Sequence, residues 1–260
     1  MSEKELKTVE KEDKNFHFVL MGKGGVGKTT VASFLAQYIQ DSLNESTLCI
    51  DTDQVNASFF GFKSLNVEKL NIMENNEIVA RGWDTLIEKL FKTDKRNIII
   101  DNGASSFIPF LAYALENDMI DLLTNENNNF KGKVIFHIII SGGEGLGHTL
   151  NGMISMLEHF ADTSAEFMIW LNHYHGKIED KGMKFYDFDE FKNNKKKINY
   201  IMELPEYTSS TFGQDICDML SKNRTFKDML ESKSISIASQ HRYVKVRENL
   251  FNNLSRIPIF

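Results

Sequence analysis

Short apolar runs alternate along the chain with longer stretches of helical periodicity. This alternation predicts repeated strand–helix units: an α/β fold with a doubly wound, mainly parallel sheet and helices on both faces. A first strand is expected over Asn15–Met21, from FHFVLM, followed by a helix over Lys28–Ser42. A short buried strand over Thr47–Ile50 ends in Asp51, and an amphipathic helix covers Trp83–Lys92. The β-branched strand Asn97–Ile100 ends in Asp101. Ile108–Asn117 reads as a helix with Pro109 in its first turn, where the missing N–H is tolerated. Strands Lys133–Ile140 and Phe167–Leu171 flank a helix over Leu146–Phe160. A last strand, Ile198–Leu204, precedes helices over Gly213–Ser221 and Ser236–Leu254. The Asn-rich stretch Thr124–Gly132 reads as an exposed loop, and the polar, aromatic and basic His173–Lys197 as an excursion from the core. Residues 1–14 are highly charged and read as a flexible lead; residues 15–260 read as a single domain without internal repeats.

Composition narrows the function classes. The 260 residues suit one α/β domain. A net charge of −6 argues against a whole-protein electrostatic grip on nucleic acid and leaves a local basic patch open. Cys49 and Cys217 are far apart, so there is no CxxC pair, and the usage fits a reducing cytoplasm. No apolar run approaches the roughly 18–20 residues that span a bilayer, and the charged N-terminus is not a secretory signal.

Gly22-Lys23-Gly24-Gly25-Val26-Gly27-Lys28-Thr29 fits the phosphate-loop pattern G-x-x-x-x-G-K-[ST], between a strand and a helix as the pattern requires. Its glycines let backbone N–H groups turn inward around phosphate oxygens, and the following helix offers its positive N-terminus to the same anion. Gly24, Gly25, Val26, Gly27, Lys28, Thr29 and Thr30 are the expected cradle. Lys28 is expected to reach the β and γ phosphates, and the Thr29 hydroxyl to ligate Mg²⁺. Ligands of doubly wound sheets bind beyond the carboxyl ends of the strands, where Asp51, Asp53 and Asp101 stand. Asp101, at its strand end, is placed to hold Mg²⁺ directly or through water. A lone strand-end aspartate can simply cap a loop; three converging on one phosphate loop point to chemistry. No [NT]-K-x-D guanine motif occurs.

The second lysine in K-G-G-V-G-K-T-T resembles the deviant Walker A loop of ParA/MinD-like ATPases. That resemblance implies an ATP-dependent homodimer that sandwiches two ATP molecules, with Lys23 reaching the partner's phosphates. Asp51-Thr52-Asp53 is similar to the family's first switch, which implies that Asp53 polarises the attacking water and Asp51 supports Mg²⁺. It also implies that Asn172, after its strand, contacts adenine and that the segment at Pro205 packs on the base. Gln54 stands where many relatives have proline, and Asn102-Gly103-Ala104 replaces a proline-containing second switch. The runs Cys49–Met73, Ile100–Pro109, Trp170–Asn172 and Phe212–Phe226 further resemble the TraL-type conjugal transfer proteins of broad-host-range plasmids. This implies a protein partner from a conjugation or partition system, with DNA possible and not favoured.

Other features carry weaker signals. Ser141–Gly147 could be a second phosphate loop, or a plain strand-to-helix turn on a partner-facing surface. His173 and His175 lack a nearby ligand cluster, and the basic run Lys192–Lys197 reads by default as a solvated loop. Tyr243, Val246, Leu250, Leu254 and Ile257 form a helical stripe. It is expected to pack on the sheet; the alternative is membrane binding of the MinD type, with a cytoplasmic protein peripheral at the inner membrane.

Overall fold

A computed structural model describes residues 11–75, 77–206 and 210–259. In chain order, β1 (Glu12–Leu20) leads through the glycine loop into α1 (Lys28–Asp41), then β2 (Thr47–Asp51) and β3 (Glu68–Lys69). A small hairpin of β4 (Met73–Glu74) and β5 (Glu77–Ile78) precedes α2 (Ala80–Lys92), β6 (Asn97–Asp101), α3 (Phe107–Glu116) and α4 (Met119–Thr124). Then follow β7 (Phe130–Ser141), α5 (Leu146–His159), β8 (Glu166–Asn172), the hairpin β9 (Glu179–Asp180) and β10 (Met183–Lys184), and α6 (Asp189–Asn194). The chain ends with β11 (Tyr200–Leu204), α7 (Phe212–Ser221), α8 (Phe226–Glu231) and α9 (Ile237–Leu254).

The central sheet has seven strands in the order β11-β8-β7-β1-β6-β2-β3, all paired in parallel. Its inner strands are buried on both faces, which is why they read as unbroken apolar runs. From β1 the chain passes to β2 and the edge strand β3, returns to β6 between β2 and β1, and then crosses to β7, β8 and β11 on the other side. The glycine loop leaves β1 at that reversal, the usual ligand crevice of such sheets.

One face of the sheet presents Phe18 and Phe136, which pack on Phe110 of α3 and on Phe160 just after α5. Burying each such ring stabilises the fold by roughly 2–3 kcal/mol. Elsewhere, Phe34 and Tyr38 of α1 meet Phe226 and Phe251 of α8 and α9. Tyr243, Val246, Leu250 and Leu254 are buried in this layer, so the α9 stripe is spent in the core. Among the described residues no helix is long and apolar enough to cross a membrane.

The ends of elements differ from the sequence expectation where a partner strand recruits polar residues. β1 opens at Glu12 because Glu12–Lys14 pair with Phe130–Gly132 of β7, so these residues are not part of a flexible lead. Lys14 is buried, donating to Thr93 O at 2.6 Å and lying over the Phe130 ring. Residues 1–10 lie outside the described residues. The expected loop Thr124–Gly132 is shortened by the same pairing. The His173–Lys197 excursion carries its own aromatic cluster, with Phe185 and Phe188 buried and Phe191 against Phe185.

A polar chain crosses the core. The indole of Trp170 donates to His137 Nδ1 at 2.9 Å, and His137 Nε2 lies 3.0 Å from His17 Nδ1. Indole is a donor only, so neutral His137 carries its proton on Nε2 and donates it to His17 Nδ1. Both histidines are fully buried, and burial lowers their pKa, to about 4 for His17 and well below the ordinary value for His137. Both are therefore neutral in the folded chain and pick up protons on unfolding. The stability they confer is present above the unfolded value of about 6.5 and is lost as pH falls below it. Between about pH 7.5 and about pH 5, urea unfolding followed by circular dichroism should show a loss of up to about 2 kcal/mol from His17. The slope over that window should be shallower in His17→Gln.

Candidate functional site

The phosphate loop runs from Gly22 to Gly27, with left-handed backbone at Gly25 (φ 75°) and Gly27 (φ 101°). Gly27 caps α1, so that helix points its N-terminus into the loop. Lys28 is buried and donates to Lys23 O at 3.2 Å across the loop. Burial lowers its pKa, and the Asp101 and Asp53 carboxylates partly offset this. The side chain of Lys23 is exposed beside the loop.

The strand ends supply the carboxylates. Register aligns Asp51 of β2 with Asp101 of β6, and Asp101 with Val19 of β1. Thr29 donates to Asp101 Oδ2 at 2.6 Å, joining the helix start to β6. Asp101 is 2% exposed, and burial pushes its carboxyl up to about 7. Its Oδ1 is buried without a hydrogen-bond partner among the described residues, as is Nδ2 of neighbouring Asn102. Asp51 uses both oxygens on backbone, accepting from Asp53 N and Phe60 N at 2.9 Å each. Its pKa is raised by burial, against the pull of those two amides. It thus organises the first switch loop from below. Asp53 is half-buried and accepts from Val55 N and Asn56 N at 3.0 and 2.9 Å.

The two switch segments are stitched together. Asn102 Oδ1 accepts from Thr52 Oγ1 at 2.6 Å and from Ser106 Oγ at 2.7 Å. A Cβ on Gly103 would lie 2.9 Å from Asp53 Cγ, so only glycine lets the second switch approach that carboxylate. Gln54 donates to Leu70 O at 2.6 Å. The donor set of Thr29, Asp101 and Asp51 is oxygen throughout, which suits a hard cation such as Mg²⁺. The orphaned Asp101 oxygen is the one best able to receive it, directly or through water.

Beside the loop lies a cleft of about 330 Å³, walled mainly by Phe34, Leu204, Pro205, Ile216 and Tyr174, with Asn172 at its inner end. Asn172 donates to Val26 O at 2.9 Å and caps the following turn by accepting from Tyr174 N. Asn172, Pro205 and Thr30 thus line one cleft whose walls are mainly apolar.

Three contributors were left unassigned by the sequence. Ser58 Oγ lies 3.1 Å from Thr29 Oγ1, His175 touches the phosphate loop, and Tyr174 lines the cleft. A serine five residues after Asp53 was the only local signal for the first; the other two sit in a stretch that reads as an excursion. In the Ser141–Gly147 turn, a Cβ on Gly142 would strike Gly176 O at 2.2 Å, because this turn packs against the one after β8. His173 pairs with Glu203 at 2.9 Å instead of a metal cluster.

The CobQ/CobB/MinD/ParA nucleotide binding domain matches residues 17–237, from β1 into the start of α9. Two Escherichia coli proteins called TraL are 40% and 36% identical over 243 residues, covering 94% of this chain and 98% of each relative. A ParA family ATPase from Chlorobium tepidum shares the fold, with a TM-score of 0.52 at 14% identity over 94% of this chain and 99% of that one. With a domain match that encloses the phosphate loop and both switches, and relatives alike over nearly their whole length, this chain belongs to the TraL family of CobQ/CobB/MinD/ParA nucleotide-binding proteins.

Proposed function

We propose that this protein is a Mg²⁺-dependent ATPase of the cytoplasm that dimerises on ATP and serves as a switch in conjugative transfer. The observation that carries the reading is the pairing of an inward Lys28 with an outward Lys23 on one phosphate loop. Lys28 is held over the loop by Lys23 O, poised to exchange that carbonyl for phosphate oxygens. Lys23 is exposed, so its charge is available to a nucleotide on a second copy. Trans-supplied charge of this kind stabilises the transition state of phosphoryl transfer.

The remaining residues have separate tasks. Backbone amides of Gly24–Thr30 bind the phosphates, and the apolar slot at Asn172 and Pro205 takes adenine. Thr29 and Asp101 would hold Mg²⁺, which neutralises charge on the phosphate oxygens when bound. Asp53 orients and polarises the attacking water, at a position fixed by the Asp51 amide bonds below it and by Gly103 beside it. Similarity to TraL proteins supports a role in conjugation, with a transfer or partition protein as the partner that reads the dimer. The buried α9 stripe speaks against a membrane-cycling mode, and the acidic chain against a DNA-gripping motor.

Light scattering on Asp53→Ala, which should trap the ATP state, is expected to show a doubled mass with ATP and Mg²⁺. The Lys23→Ala/Asp53→Ala pair should stay monomeric. ATP binding without any mass change in the first variant would rule out the trans role of Lys23.

Gly103→Ala should separate binding from turnover. Its new methyl displaces the Asp53 carboxylate, so hydrolysis should fall about 10- to 100-fold while ATP affinity changes little. Equal losses in both would place Gly103 in nucleotide binding instead.

A further inference from the structure

The tip of the phosphate loop is not held by packing. A Cβ built on Gly24 or Gly25 would meet nothing within 4 Å, and Gly25 sits in the left-handed region at φ 75°. Such a segment has much conformational entropy to lose on ordering. Two side chains, one at the end of β8 and one in the turn that follows, nevertheless fasten it. Asn172 Nδ2 donates to Val26 O, and His175 Nε2 lies 2.9 Å from Gly25 O. A carbonyl only accepts, so His175 Nε2 carries the hydrogen. Tying successive carbonyls to the outside leaves the loop's N–H groups turned to the anion.

His175 is itself braced. Its ring meets Tyr174 edge-on, with centroids 4.9 Å apart at 86°, and Tyr174 Oη lies 3.5 Å from Cys217 Sγ on α7. Tyr174 is 64% exposed, so burial does not account for its place. The link runs from α7, along the rim of the base cleft, to Gly25.

We propose that Tyr174 and His175 form a strap between α7 and the phosphate loop, in which His175 is a positioning residue that preorganises the loop for phosphate. This rests on nucleotide binding at that loop and adds a residue with no place in the phosphate-loop motif. Because His175 acts through backbone, its effect belongs to the phosphates and is indifferent to the base.

The test is the affinity of a fluorescent ADP, and of pyrophosphate by competition, for the full chain and for His175→Ala, His175→Gln and Tyr174→Phe. Loss of one hydrogen bond in His175→Ala should weaken ADP and pyrophosphate alike, about 5- to 10-fold. His175→Gln, which keeps an N–H donor at similar reach, should recover to within about 2-fold of the native chain. Tyr174→Phe keeps the ring contact with His175 and loses the Oη link to Cys217, so it should weaken ADP and pyrophosphate alike, by less than His175→Ala. The ligand-free melting temperature should be unchanged in all three. Native affinity in His175→Ala, or loss of ADP with pyrophosphate retained, would overturn the proposal. Native chain that binds neither ligand would overturn the nucleotide-site reading, and this inference with it.

Discussion

The site depends on strand register. In a parallel sheet the strands present their carboxyl ends at one edge, and a shift of one residue would turn every side chain to the other face. Here Val19, Asp101 and Asp51 stand level across β1, β6 and β2. That alignment brings the glycine loop, the Thr29 hydroxyl and two buried carboxylates together without any dedicated scaffold. The cost is two acids in an apolar environment, both with raised pKa. It is met locally: Asp51 by two backbone amides, Asp101 by Thr29 and the nearby Lys28 ammonium.

The core strands were legible because burial on both faces leaves a continuous apolar run that no other soluble element needs over so short a length. The phosphate loop was legible because its glycines and lysine have one joint purpose. What the sequence hid was anything defined by a distant partner. Glu12–Lys14 look like solvated charge until β7 pairs with them, and Phe130 looks like part of a polar loop until it packs on Phe16 and Phe91. The short helix α8 is announced only by the capping box of Thr225 and Asp228. In the site, Asn172 could be named from the family resemblance at its strand end, whereas His175 could not. Its partner is a backbone carbonyl 150 residues away, and a carbonyl leaves no mark on composition.

Two departures from the family pattern turn out to be hydrogen-bonding groups. Gln54, in place of proline, ties the first switch to the carbonyl of Leu70. Asn102, in the second switch, receives Thr52 from the first and Ser106 from its own. Proline stiffens a loop by removing freedom from the chain itself. Here stiffness comes from bonds between segments, which can be broken and remade when a ligand offers better partners. The two switches are therefore joined to each other through Thr52 and Asn102, and movement of either is felt by Asp53 through its contact with Gly103.

The donor chain from Trp170 through His137 to His17 has one direction, because its first member can only give a proton. His137 must then accept on Nδ1 and give from Nε2, and His17 must accept on Nδ1. Replacing any one of the three strands a donor or an acceptor in the dry interior of the sheet. Positions 17, 137 and 170 are thus bound into a common evolutionary fate: over time they can be exchanged as a set for apolar residues, while stepwise drift through single substitutions passes through a damaged core.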